Sequence, residues 1–242
     1  LPARSEMCIR DSPELAKLGP STNPEDNGGH QIRAWVQNCD TTHKDCMKRR
    51  KLTPKSKRFI PTRLLDISGQ PGEPIRVIET ATTSVQGPYC TLSHCWGLIE
   101  FQQLRDANRE RFMKVGIPWH LFTRNFQDAI AVARSLEVGY IWIDSLCIIQ
   151  KSKADWDKEA GRMHLVYRNS YCNIAVVDSK DSTGGAFRKR DPEDVAPVRY
   201  EPTNDSSLFG HKKKKWIAVS ENLWERDLIQ SFLYVRGWVF QG

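Results

Sequence analysis

Three short apolar runs, separated by two stretches of helical periodicity, constrain this chain more than any other feature in it. The runs are "PYCTLSHCW" (88–96), "YIWIDSLCIIQ" (140–150) and "YCNIAVV" (171–177). Between the first two, Phe126, Ala129, Ile130, Ala133 and Leu136 recur at helical spacing, with Thr123 as a cap and Gly139 as a stop. Between the last two, Ser152 with Asp155 three residues on resembles a capping box and opens a helix to about Tyr167. Strand, helix, strand, helix, strand is the pattern of an α/β fold with a mostly parallel sheet flanked by helices. The three strands are expected to be neighbours. Upstream, "PIRVIE" (74–79) reads as a strand paired antiparallel with 88–96, and "IPTRLLDISGQPGEP" as part of a connector.

The N-terminal part reads differently. Residues 1–30 are rich in Pro, Gly, Asn and Ser and read as loop or arm. From Ile32 the positions 32, 35, 39, 43 and 46 form a helical stripe. Cys39, His43 and Cys46 within it invite a zinc reading, but structural zinc wants four ligands and no companion pair stands out. A buried helix face is the better account, and no metal site is expected. Residues 1–74 therefore read as an N-terminal extension and 75–242 as the main domain. A chain that begins at Leu is expected to be processed or excised.

Polar residues toward the ends of the apolar runs carry the functional signal. In parallel sheets, ligands bind beyond the carboxyl ends of the strands. Asp144 stands there on one run, and Ser93, His94 and Trp96 on another. Glu159 falls on the same predicted helical face as Trp156, Met163 and Val166, where an unpaired carboxylate is expensive. "DSTGGAFRKR" (181–190) holds Gly184 and Gly185 before Arg188, a weak phosphate site that is more often a turn. His94 with Cys95 or Cys147 matches no hydrolase signature, so buried free thiols are the expectation.

Composition bounds the partners. At 242 residues and 39% hydrophobic, the chain can bury a substantial core. No apolar run approaches the length needed to span a bilayer. Seven cysteines in periodic segments read as free thiols, which favours the cytosol, with the nucleus as the alternative. The net charge of +7 is local: runs at 48–58 and 212–215 hold eleven of 36 basic residues, leaving 25 against 29 acidic ones. These runs lack interleaved aromatic residues, so nucleic acid is not the expected partner and a solvated surface is.

Taken in order, "YCTLSHCWG", "YIWIDSLCIIQ", "DWDKEAGRMHLVYRNSYCNIAVVDSKDSTGGAFRKR" and "RGWVFQ" (236–241) resemble successive blocks of the fungal heterokaryon-incompatibility (HET) domain family. Two departures stand out: His94 takes a common aromatic position, and the chain ends "FQG" where members read Gln-Glu and continue. The domain is thus expected to be truncated at its C-terminal edge. The resemblance implies an effector of nonself recognition that triggers programmed cell death. A fainter resemblance runs from "YCTLSHCWG" through "TRNFQDAIAVARSLEVGYIWID" to "WDKE", and is to Toll/interleukin-receptor (TIR) domains. It implies a TIR-like sheet with additional C-terminal strands. It also implies NAD as a substrate and not a bound cofactor, with Glu159 catalytic. Ser93, His94, Asp144 and Arg188 would then contact ribose or phosphate, and Trp96 would stack on a ring. The rival implication is a non-enzymatic module that self-assembles or recruits a protein partner.

Overall fold

Two kinds of strand pairing meet in one open sheet. β1 (Arg63–Asp66) and β2 (Arg76–Glu79) form an antiparallel pair, with Leu64 opposite Ile78 and Leu65 opposite Val77. β3 (Cys90–His94), β4 (Tyr140–Trp142) and β5 (Cys172–Val176) run parallel, with Cys90 opposite both Ile141 and Cys172. β1 then joins β4 antiparallel, so the order across the sheet is β2-β1-β4-β3-β5. The computed structural model describes residues 19–26, 29–44, 59–195, 198–200, 216–218 and 229–234.

The helices follow the sequence in outline. α1 (Gly29–Thr42) precedes the sheet, and α2 (Asp106–Lys114) buries Phe112 beside β2. α3 (Arg124–Ser135) packs on β3, β4 and β5 through Phe126, Ala129, Ile130 and Ala133, all fully buried. Their spacing of three and four residues puts them on one face, as expected of a helix covering a sheet. α4 (Asp144–Cys147), α5 (Lys153–Ala160) and α6 (Met163–Asn169) follow β4. After β5 come the short α7 (Pro192–Val195) and a two-stranded sheet of β6 (Val198–Tyr200) and β7 (Trp216–Ala218). No helix among the described residues is long and apolar enough to cross a membrane.

The structure corrects the sequence reading in several places. The sheet is mixed, not mostly parallel, because the expected connector contains β1, which pairs with β4. β2 accordingly pairs with β1, not with β3. Of the run 140–150, only Tyr140–Trp142 forms the paired strand. The Ile143 carbonyl then accepts N–H bonds from Leu146 and Cys147 at 3.0 and 2.8 Å, which opens α4. The expected helix over 153–167 breaks at Gly161–Arg162 into α5 and α6. Its expected capping box is absent: Ser152 is the N-cap without a side-chain bond, and Asp155 accepts the Ile149 N–H at 2.7 Å instead. α3 ends at Ser135, and the left-handed residue beyond it is Glu137 (φ 60°), not Gly139.

α1 is a helix, but its stripe is not a buried face, since Trp35 is 57% exposed. Polar anchors hold it instead. Arg33 donates to the Ser135 carbonyl at 2.8 and 3.1 Å, and the Tyr171 hydroxyl donates to Asp40 at 2.8 Å. Cys46, the basic runs 48–58 and 212–215, the block 236–241 and residues 1–18 lie outside the described residues.

Candidate functional site

A cavity of about 440 Å³ lies along β3 and β5 and reaches the carboxyl end of β3, with the segment that follows β4 on its rim. Ser93 and His94 reach it as the last residues of β3, and Trp96 from the loop beyond. Asp144 reaches it from the first residue of α4, two positions past the end of β4. A parallel pair explains the convergence: both chains leave the sheet at the same edge. α5 supplies Trp156 and Ala160 to another wall, α6 supplies Met163, His164 and Tyr167, and Leu233 and Tyr234 close a further side.

The polar groups are held by specific bonds. The Trp96 indole N–H donates to both Asp144 oxygens, at 3.2 and 3.1 Å, and the Ser145 backbone N–H donates to Asp144 Oδ1 at 2.7 Å. Trp96 in turn stands edge-on to Phe101, and His94 edge-on to Phe126, with centroids 5.6 and 5.1 Å apart. Such contacts fix the orientation of both rings. The Cys95 thiol donates to the Phe232 carbonyl at 3.1 Å, tying the segment that carries Leu233 to the end of β3.

Glu159 does not line this cavity. Its carboxylate is 4% exposed and accepts the Thr62 hydroxyl at 2.8 Å, with the Lys158 ammonium at 3.7 Å. Helical geometry accounts for the difference from expectation. Residues 155 and 159 form one row along α5 and residues 156 and 160 the next, so the cavity receives Trp156 and Ala160 while Asp155 and Glu159 face β1. The break at Gly161 removes the continuous face on which Glu159 had been placed.

Beside Glu159 lies an ion pair whose arginine is buried and whose carboxylate is partly exposed. Arg63, 3% exposed on β1, donates from Nε to the Cys147 carbonyl at 2.7 Å and from its other end to Asp155. Burial pushes the Asp155 carboxyl up. The Arg63 guanidinium and the Ile149 N–H outweigh it and hold the group below the usual carboxylate range. Arg63 thus ties the end of α4, which begins with Asp144, to α5, which carries Trp156. Burial pushes the Cys147 thiol up to about 12, which disfavours its thiolate at neutral pH.

Arg188 is also away from the cavity. Its Nε donates to Asp178 at 3.1 Å, and its NH1 to the carbonyls of Gly184, Gly185 and Phe187 at 3.0–3.2 Å. The segment 181–190 is therefore a turn knotted by its own arginine. Asn125 and Asp128 of α3 clasp it further. Asn125 Oδ1 accepts the Gly185 N–H at 2.7 Å, and Asp128 Oδ2 accepts the Ala186 N–H at 2.8 Å.

Of the expected site residues, the fold gathers Ser93, His94, Trp96 and Asp144 and leaves out Glu159 and Arg188. Sequence reasoning missed Gln150, His164, Tyr167 and Asn173, all of which line the cavity. Asn173 had one available signal: it interrupts an apolar strand, alternating with the buried Ile174. It stands near the start of β5, however, where the strand-end rule does not look.

Comparison with family profiles matches residues 89–242 to the family described as heterokaryon incompatibility protein (HET). No curated protein and no solved structure matches the chain.

Proposed function

The chain belongs to the heterokaryon incompatibility (HET) family, and from that premise we propose that it is an effector of nonself recognition that triggers cell death by cleaving NAD or a related nucleotide in the strand-end cavity. The observation that carries this reading is the convergence of Ser93, His94, Trp96 and Asp144 on one cavity of about 440 Å³. That volume lies within the ordinary range for small-molecule sites. The substrate class comes from the resemblance to TIR domains. In the reaction the bond between the ribosyl carbon and the nicotinamide nitrogen breaks, and its electron pair leaves with the neutral ring. Water then adds to the ribosyl cation and gives up a proton. A carboxylate beside the developing cation lowers the barrier electrostatically, and Asp144 is the carboxylate that lines the cavity.

The reading departs from the TIR resemblance in one respect: Asp144 takes the role expected of Glu159. A non-enzymatic, self-assembling module is the alternative, and the engagement of Glu159 with Thr62 favours it. Incubating the purified chain with NAD and separating the products decides between them. The expected result is release of nicotinamide, reduced about 100-fold by Asp144→Asn, as for loss of a preorganised electrostatic group. Glu159→Gln, which can still accept from Thr62, is expected to leave the rate close to that of the parent. Absence of turnover replaces this reading with self-assembly, and a loss confined to Glu159→Gln returns the catalytic role to that residue.

A further inference from the structure

Two amide side chains in the cavity are fixed in opposite senses. Asn173 Oδ1 accepts two hydroxyl bonds from β3, from Thr91 at 3.0 Å and Ser93 at 3.1 Å. Both hydroxyls donate, so the amide oxygen must face them, and the amide's two N–H donors are turned to its other side. Gln150 is held the other way round. Its Nε2 donates to the backbone carbonyls of Ile148 at 2.9 Å and Asp144 at 3.3 Å, which leaves Oε1 as the end turned from the backbone. Both residues line the cavity, and these bonds leave donors on one amide and an acceptor on the other.

Flat apolar surfaces accompany them. Trp156 is 48% exposed at the wall built by α5, and Tyr167 is set edge-on to Trp142 with centroids 5.7 Å apart. Half-exposed aromatic faces of this kind stack heterocyclic rings.

We infer that the cavity recognises the ring end of its nucleotide through a primary carboxamide, with Asn173 donating to the carboxamide oxygen and Gln150 accepting from its nitrogen. A primary carboxamide carries one acceptor and two donors, the complement of what Asn173 and Gln150 offer. A carboxylate in its place has no donor at neutral pH and sets a negative charge against Gln150 Oε1. A site whose polar groups are left unpaired in this way discriminates strongly against the analogue. Asn173 and Gln150 are thus specificity residues, positioned by Thr91, Ser93 and the backbone of the Asp144 turn.

The inference rests on the cavity reading above, and its test separates the two. Ligand affinity is measured on the full chain by quenching of tryptophan fluorescence in the first seconds after mixing. The probes are NAD, its nicotinic acid analogue, and ADP-ribose, which lacks the ring. NAD is expected to bind at least about tenfold more tightly than either of the others. Asn173→Asp keeps an oxygen for Thr91 and Ser93 and removes only the N–H donors, so it should preserve the melting temperature and weaken NAD about tenfold. Equal binding of the acid analogue, or an Asn173→Asp variant with unchanged affinity, overturns the inference while leaving the cavity reading intact. Absence of NAD binding to the parent chain overturns both.

Discussion

Arg63 sits on β1 between Thr62 and Leu64, nearly without solvent, and its charge is answered by Asp155 of α5. Removing one member of a buried ion pair leaves the other uncompensated, at a cost of about 3–5 kcal/mol. The depressed Asp155 carboxyl gives this a pH signature. A group whose folded pKa is lowered contributes stability that is fully present above its unfolded value, about 3.9 for Asp. That contribution is lost as pH falls through the folded value. Asp155→Asn should therefore be less stable than the parent at pH 7, and the gap should narrow below about pH 4. Urea unfolding of both proteins from pH 7 down to pH 2.5 checks this, and a gap that stays constant with pH would contradict it.

At the level of elements, the parallel trio was legible because each of its strands is an apolar run bounded by turn residues. α3 was legible because five apolar residues keep helical step. β1 was not. "RLLD" is four residues between Pro61 and Gly69, and its first side chain is a buried arginine, which reads as surface. The division of the helix after Ser152 was hidden too, since Gly161 is tolerated inside helices often enough to pass unnoticed. For the site, strand-end logic found the residues that leave β3 and β4 and missed those on α6 and β5. Those enter the cavity by packing, which a single sequence does not encode locally. One loop carries its reason openly. Gly97 follows Trp96 with φ +71°, and a Cβ there would come within 2.3 Å of Asp181 Cβ and 3.0 Å of its backbone Cα. The same loop offers the Trp96 carbonyl to the Ser182 hydroxyl at 3.2 Å. Gly97→Ala should thus combine backbone strain with a clash, destabilising by about 2–4 kcal/mol. It should also shift Trp96 away from Asp144, which near-ultraviolet circular dichroism would register. An unchanged melting temperature and spectrum would show that the loop has other room.

For the molecule as a whole, the HET match begins at residue 89, yet the sheet does not. β1 and β2 lie upstream of the matched stretch, and β1 is hydrogen-bonded to β4 at the centre of the order β2-β1-β4-β3-β5. Leu64, Leu65, Ile67, Val77 and Ile78 of this hairpin are buried in the same core as Ile141 and Leu146. At about 1.5–3 kcal/mol for each fully buried aliphatic side chain, their removal forfeits a sum comparable to the whole stability of an ordinary domain, about 5–15 kcal/mol. It would also strip the half-buried Asp155 of Arg63 and the buried Glu159 of Thr62. A chain started at residue 89 is therefore expected to lack a cooperative thermal transition and to aggregate. The double variant Leu64→Ala/Leu65→Ala of the full chain should lose at least about 4 kcal/mol, taking 2–5 for each buried Leu→Ala change. Calorimetry on the three proteins measures this directly. If the chain begun at residue 89 melts cooperatively within a few degrees of the full one, the hairpin is an accessory to the sheet and not part of its folding unit.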